Sequence, residues 1–398
     1  MRLLYVESAR TSAGSQANDT KSRTANVVAW LHSCRITQLP NSGCTTAPME
    51  ELVLSRRLRC GRASAAGRSF RTCLEVRSRC GKEGAALPAD PPCSNAVAAA
   101  RSLGFFDDAE RLHFLVGHQA DRRNLKGAST HSCDAPLPVS AVISFGDALS
   151  VCSPELTFVQ MANLLSVEEL ACLGTTLCGI YAKEPFGFGG LSFDGKGGAL
   201  PRRDQLTTVR SIEAFIEGTP GLNGVKKARS ALRLTLERSR SPMETASAML
   251  LSAPFLRGGF GLPKPVLNCR VDLPEWLHAG IGSREASAWG ELPYAECDMA
   301  FFHRGRSVYV DFHGKWSHEG ESNIHHDSLR ANAFSQLGMA YYLLTKDQVF
   351  SVSLLEKFVQ QLRMRLRIYP KTTITDLPKR QHALHRKVIR MVHEGRLV

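Results

Sequence analysis

Residues 295–311 read Ala-Glu-Cys-Asp-Met-Ala-Phe-Phe-His-Arg-Gly-Arg-Ser-Val-Tyr-Val-Asp, and their reading decides the fold. A β-hairpin turning at Arg304-Gly305 accounts for them, an X-Gly pair being a workable two-residue loop. With that loop, Cys297 faces Phe312, Met299 faces Val310 and Phe301 faces Val308, so one face is wholly apolar. The other face pairs Glu296 with His313, Asp298 with Asp311, Ala300 with Tyr309 and Phe302 with Ser307. A one-residue slip would mix the two sets, which specifies this register.

The register has a chemical consequence. Directly opposed residues bring their Cβ atoms to about 4.5–5.5 Å. Opposed aspartates repel, and a hard divalent cation such as Mg²⁺ removes that penalty. Upstream, Ser241-Pro242-Met243-Glu244-Thr245 heads an apolar helix. A capping box by itself explains Glu244, but a first-turn carboxylate can also project over a neighbouring sheet. Glu244, Asp298 and Asp311 are thus the candidate ligands of Mg²⁺ or Mn²⁺, in a site that activates water and stabilises charge on a phosphoryl oxygen. His313 and Lys315 lie at its edge, suited to proton transfer or phosphate contact. The plain alternative is a pair of solvated strand aspartates on an open sheet face.

Working outward, residues 265–273 read as a strand and 323–337 as a helix with Ile324, Ala331, Phe334 and Leu337 on its apolar side. Asp327 and Arg330 are spaced to pair on that helix, and Gly338 stops it. Residues 339–345 form a following strand, a crossover connection. Ser351 caps a last amphipathic helix with Leu355, Phe358, Val359, Leu362 and Leu366 on one side and Arg363, Arg365 and Arg367 on the other. Residues 112–117 and 139–145 read as short strands. Ser153-Pro154-Glu155 and the capping box Ser166–Glu169 open two short helices, which suit a small helical module. Residues 184–203 are a glycine-rich loop in which no Gly-Lys-Ser/Thr follows, so they make no phosphate loop. A basic helix over 211–240 breaks around Thr219-Pro220-Gly221. Its Lys226, Lys227, Arg229 and Arg233, with Arg363 and Arg367 downstream, are candidates for DNA-phosphate contact; a solvated face is the competing reading.

The 398 residues carry 50 Lys and Arg against 37 Asp and Glu, a net charge of +13 that favours a polyanionic partner such as DNA. No apolar run reaches the roughly 18 residues of a membrane span. The first residues are too short for a signal-peptide core, so a cytoplasmic chain is expected. None of the 12 cysteines forms Cys-x-x-Cys, which argues against a zinc ribbon. No small-molecule cofactor is indicated. The expected layout is an irregular basic region over 1–95, a small α/β or helical module over 96–183, and a glycine-rich linker with basic helix over 184–240. A catalytic-type domain over 241–370 and a basic tail over 371–398 complete it.

The order helix–strand–hairpin–helix–strand, with acids at the helix start and at both hairpin ends, resembles the PD-(D/E)XK family. More closely, 241–345 is similar to the endonuclease-like domain related to very-short-patch-repair enzymes, found at the C-terminus of bacterial, notably actinobacterial, proteins. The matching pieces are Ser-Pro-Met-Glu at 241–244, Cys-Asp at 297–298, Val-Asp-Phe-His-Gly at 310–314, His318, Asp327, Arg330, Asn332 and Gly338. Residues 152–162 and 177–182 are similar to the segment preceding that domain. The resemblance implies an α/β restriction-endonuclease-like mixed sheet flanked by helices, behind a small mainly helical module and an irregular N-terminal region. It implies metal-dependent hydrolysis of DNA, with Asp327 and Arg330 bracing the site. Asp311 stands where the family usually has glutamate, and His313 where it has an acid or lysine. These departures point to a weakened or Mn²⁺-using nuclease, or to a degenerate one that binds DNA as an antitoxin-like regulator. A protein-interaction domain is the third class.

Overall fold

The structure, a computed structural model, describes residues 36–37, 97, 112–145, 149–181, 204–274, 294–313 and 330–393. They are mixed α/β and fall into two compact units.

The first unit holds the described residues up to Leu165, with Arg210–Arg229. Strands β1 (Ile36–Thr37), β2 (Leu112–Val116), β3 (Ala128–Ser132), β4 (Val142–Phe145) and β5 (Leu149–Cys152) form one sheet in the order β3-β2-β1-β5-β4. Pairs β1–β2 and β2–β3 are parallel; β1–β5 and β4–β5 are antiparallel. Helix α1 (Pro154–Met161) follows, with the Ser153 hydroxyl accepting from the Leu156 amide and Pro154 in the first turn. Of the two expectations for residues 96–183, a small α/β or a helical module, the described residues fit the α/β one. Its second helix, α2 (Val167–Leu177), opens with the expected capping box but belongs to the other unit. Helices α3 (Val209–Gly218) and α4 (Val225–Leu232) flank the expected break. Gly224, at φ +94°, is pressed against α1: a Cβ there would sit 2.7 Å from the Val159 carbonyl oxygen.

The second unit is built on α5 (Pro242–Ser252), β6 (Val266–Asp272), β7 (Tyr294–His303), β8 (Arg306–His313) and β9 (Ala340–Thr345). The sheet order is β6-β7-β8-β9, antiparallel except for the parallel pair β8–β9. Helical residues 330–336 precede β9, and Gly338, at φ +67°, ends them. Helices α6 (Lys346–Phe350), α7 (Val352–Leu366) and α8 (Leu377–His393) follow. Side chains of α5, from Ala246 to Leu251, and Leu355, Phe358, Val359, Leu362 and Leu366 of α7 are buried. His303 at the hairpin tip meets the Leu366 carbonyl, Nδ1 to O 3.1 Å. Another cluster joins Val271, Leu273, Ala295, Cys297, Ala300 and Tyr309 to Ala333 and Phe334. Phe334 stacks on Tyr341 with centroids 4.9 Å apart.

Two expectations need correction here. Residues 371–398 are not merely a tail: α8 packs against α5, and its Gln381, Leu384, Val388 and Met391 are buried. The apolar face of β7 is also not continuous. Cys297 and Ala300 share one cluster three residues apart, which strict alternation forbids. The strand changes face between them. Opposite this point lies Asn268, at φ +49°, a left-handed conformation that asparagine tolerates better than most residues.

Candidate functional site

The change of face gathers the acidic residues. The Ser241 hydroxyl caps α5 by accepting from the Glu244 amide at 3.1 Å, and this fixes Glu244 in the first turn. Its side chain meets the Ser241 side chain but takes no bond from the Ser241 amide, so the capping box is incomplete. Instead Oε2 accepts from the Arg240 amide at 2.8 Å and from Asn268 Nδ2 at 2.9 Å. Asn268 Nδ2 also donates to the Arg238 carbonyl at 2.7 Å. Asn268 thus ties the helix start to β6, directly opposite Asp298.

The β7–β8 ladder holds the expected register from His303↔Arg306 to Met299↔Val310 and stops there. Asp298 and Asp311 are not a ladder pair. Their side chains enter the gap: the Asp298 amide donates to Asp311 Oδ1 at 2.9 Å, and the Phe312 amide donates to Asp298 Oδ2 at 2.7 Å. The hairpin is forked, and each carboxylate replaces a backbone acceptor of the other strand. The expected pairs Cys297/Phe312 and Glu296/His313 are correspondingly absent from the ladder. Glu296 instead pairs with Arg240, Nη2 to Oε2 2.6 Å.

Asp311 is the most heavily engaged acid. Tyr341 on β9 donates its hydroxyl to Oδ2 at 2.7 Å. Arg330 brings Nε to 3.0 Å of the same oxygen, an ion pair whose N–H lies off the hydrogen-bond line. The guanidinium also donates to the Glu296 carbonyl and lies 3.7 Å from Cys297 Sγ. Arg330 therefore braces the site through Asp311. Asp327, Lys315 and His318 lie outside the described residues, as does the expected Asp327–Arg330 pairing. His313 ends β8, half-buried.

The electrostatics set the acids apart. Burial pushes the Glu244 carboxyl up, against the hydrogen bonds from Arg240 and Asn268 that pull it down. Burial, then the charges of Glu244 and Asp311, push Asp298 well above the ordinary aspartate range. A nearby divalent cation would reverse both shifts. Among the described residues, Asp298 Oδ1 accepts no hydrogen bond, whereas both oxygens of Asp311 are engaged and Glu244 is held by Arg240, Asn268 and the Ser241 side chain. One or two carboxylates with water and substrate phosphate form a usual Mg²⁺ shell, so the donor chemistry of Glu244 and Asp298 fits a hard cation. As they stand, no three His, Cys, Asp or Glu side chains among the described residues are grouped to hold a metal ion.

The expected DNA-contact cations divide. Lys226, Arg229, Arg233 and Arg367 are exposed. Lys227 is half-buried and donates to the Leu165 carbonyl at 3.1 Å. Arg363 is also engaged, donating to the Phe260 carbonyl and lying over the Phe255 ring at 5.3 Å. These two have structural duties that the sequence did not announce. The sequence reading also missed Asn268, Tyr341 and the Arg240–Glu296 pair. Asn268 had a signal, a turn-forming residue in the middle of the strand Val-Leu-Asn-Cys-Arg-Val-Asp. No described helix is long and apolar enough to cross a membrane. Compared with protein-family models, with curated proteins and with solved structures, the chain matches none of them.

Proposed function

We propose that the second unit is a metal-dependent DNA endonuclease-like domain of the restriction-endonuclease type, hydrolysing phosphodiester bonds. The observation that carries the reading is the forked hairpin, in which the Asp298 and Asp311 carboxylates each accept an amide of the other strand while the Glu244 charge acts on Asp298. Glu244 and Asp298 would hold Mg²⁺ or Mn²⁺, Asp298 through its unclaimed oxygen, and Asp311 would complete the set. The ion would supply an activated water and stabilise charge on the phosphoryl oxygen. Arg330 and Tyr341 hold Asp311 in place, and Asn268 holds Glu244. His313, at the end of β8, would orient water or contact phosphate, with Lys315 two residues on.

Titration calorimetry with Mg²⁺ and Mn²⁺ tests this on the wild type and on Asp298→Ala/Asp311→Ala, alongside cleavage of plasmid and linear DNA. Binding and cleavage that vanish together in the double variant are expected. A folded wild type that binds neither ion refutes the catalytic reading. A second reading draws on Asp311, whose two oxygens are already engaged by Arg330, Tyr341 and the Asp298 amide. That closure favours a catalytically degenerate DNA-binding regulator, which predicts salt-dependent DNA affinity without cleavage.

A further inference from the structure

Helix α8 has an unusual division of labour. Its 17 residues, Leu-Pro-Lys-Arg-Gln-His-Ala-Leu-His-Arg-Lys-Val-Ile-Arg-Met-Val-His, contain five Lys or Arg, three His and no acid. Gln381, Leu384, Val388 and Met391 are buried, and the helix packs on α5 and on the turn Phe255–Arg257. Two of its cations serve that packing. Lys387 donates to Ser166 Oγ and Glu168 Oε2, and Arg380 donates to Asp376 and to the Leu256 carbonyl. Lys379, His382, Arg386 and Arg390 are exposed, and none makes an ion pair among the described residues.

At about 100° per residue these four fall within roughly 80° of arc, opposite the buried row. From Lys379 to Arg390 the row runs about 16 Å along the axis at about 1.5 Å per residue. Each strand of duplex DNA presents one phosphate per about 3.4 Å of axis, so every cation in such a row meets one. The apolar side of α8 is already occupied, which removes the insertion mode of an amphipathic membrane helix. A rigid, acid-free, periodic row of charge complements a polyphosphate backbone.

We infer that the Lys379–His382–Arg386–Arg390 row of α8 is a nucleic-acid backbone-binding face. It deepens the nucleic-acid reading given above, but it requires neither the metal nor cleavage. The contacts are to phosphate, so they position the chain on DNA without reading its sequence.

The test is the salt dependence of binding of the full chain to duplex oligonucleotides in EDTA. It compares wild type, Lys379→Gln/Arg386→Gln/Arg390→Gln, the charge-retaining Arg386→Lys/Arg390→Lys, and Asp298→Asn/Asp311→Asn. Circular dichroism checks each fold. Removing three phosphate contacts should flatten the slope of log K against log salt by about 3 and lower affinity by tens of fold at low salt. The lysine variant should keep the wild-type slope. An unchanged slope in the triple glutamine variant overturns the inference while leaving DNA binding, and the nuclease reading, intact. No binding by the wild type also overturns it. Binding that depends on these residues but is seen only with phosphatidylserine vesicles would assign the row to an anionic membrane instead, and overturn it as well. A wild type that shows the α8 effect but, without EDTA, neither binds Mg²⁺ or Mn²⁺ nor cleaves DNA would sink the nuclease reading alone.

Discussion

Replacing Asp311 and Asp298 one at a time by asparagine should move stability in opposite directions. Asp311 and Arg330 expose only 15% and 16% of their side chains. Removing one partner of a fully buried pair costs about 3–5 kcal/mol, chiefly because the other charge is left unpaired. Some water reaches this pair, and the asparagine carbonyl still accepts a hydrogen bond, so about 2–3 kcal/mol is expected. Asp298 differs in kind. Asparagine keeps an acceptor for the Phe312 amide and removes a charge opposed by burial, Glu244 and Asp311. A raised carboxyl pKa costs nothing below the ordinary aspartate range, and the cost grows as pH rises. Asp298→Asn should therefore be neutral in acid and stabilising by up to about 1 kcal/mol at pH 7, a trade common at functional sites. The assay is urea unfolding by circular dichroism in EDTA. At a slope of about 2–3 kcal/mol per molar, Asp311→Asn lowers the midpoint by about 1 M. A neutral Asp311→Asn, or an Asp298→Asn that costs as much as its neighbour, would refute this account of the fork.

Other perturbations follow from the packing. Glu168 meets Arg257 at 2.7 Å and Lys387 at 3.2 Å; burial raises its carboxyl, but these cations win and hold it below the ordinary glutamate range. Its contribution is present above that range and lost as pH falls through the lowered pKa. Glu168→Gln should cost about 1–2 kcal/mol at pH 7, the value held down because Arg257 and Lys387 are each about a third exposed; the difference from wild type should close in acid, as thermal unfolding at several pH values would register. Gly258, at φ +84°, lies where a Cβ would sit 2.2 Å from the Arg380 carbonyl oxygen, so Gly258→Ala should cost at least about 2 kcal/mol and speed hydrogen exchange in α8. Phe334→Ala should cost about 3–5 kcal/mol in the same urea assay, since Phe334 is fully buried between Tyr309 and Tyr341.

What the sequence disclosed was local. The caps at Ser153, Ser166, Ser241 and Ser351 each accept the hydrogen bond expected of them, because cap chemistry spans only three residues. The hairpin turn and its register up to Met299↔Val310 were legible for the same reason. The change of face was not. It depends on one left-handed residue, Asn268, on a strand that pairs with β7 across a long interval of chain. The partner of Arg330 was hidden likewise, since Asp311 is distant in sequence and Asp327 is nearer. Helix α8 escaped because its many cations masked the buried row of Gln381, Leu384, Val388 and Met391. In the first unit the strands near 112–117 and 139–145 were legible, but their assembly into one sheet was not, because its parallel pairs are brief and nonlocal.

The bond from Lys387 to Ser166 spans 221 residues. A ribosome adding about 5–20 residues per second needs roughly 10–45 s to cover that interval. Helix α2, whose residues from Leu170 to Leu177 are all buried in the finished unit, is synthesised at the start of that wait; α5 packs on it earlier, and α8 reaches it only at the end. Until α8 arrives, the nascent chain lacks the Lys387 bonds to Ser166 and Glu168 and part of the cover over α2. Its survival in the cell therefore depends as much on translation speed and on chaperone capture as on the depth of its final energy minimum.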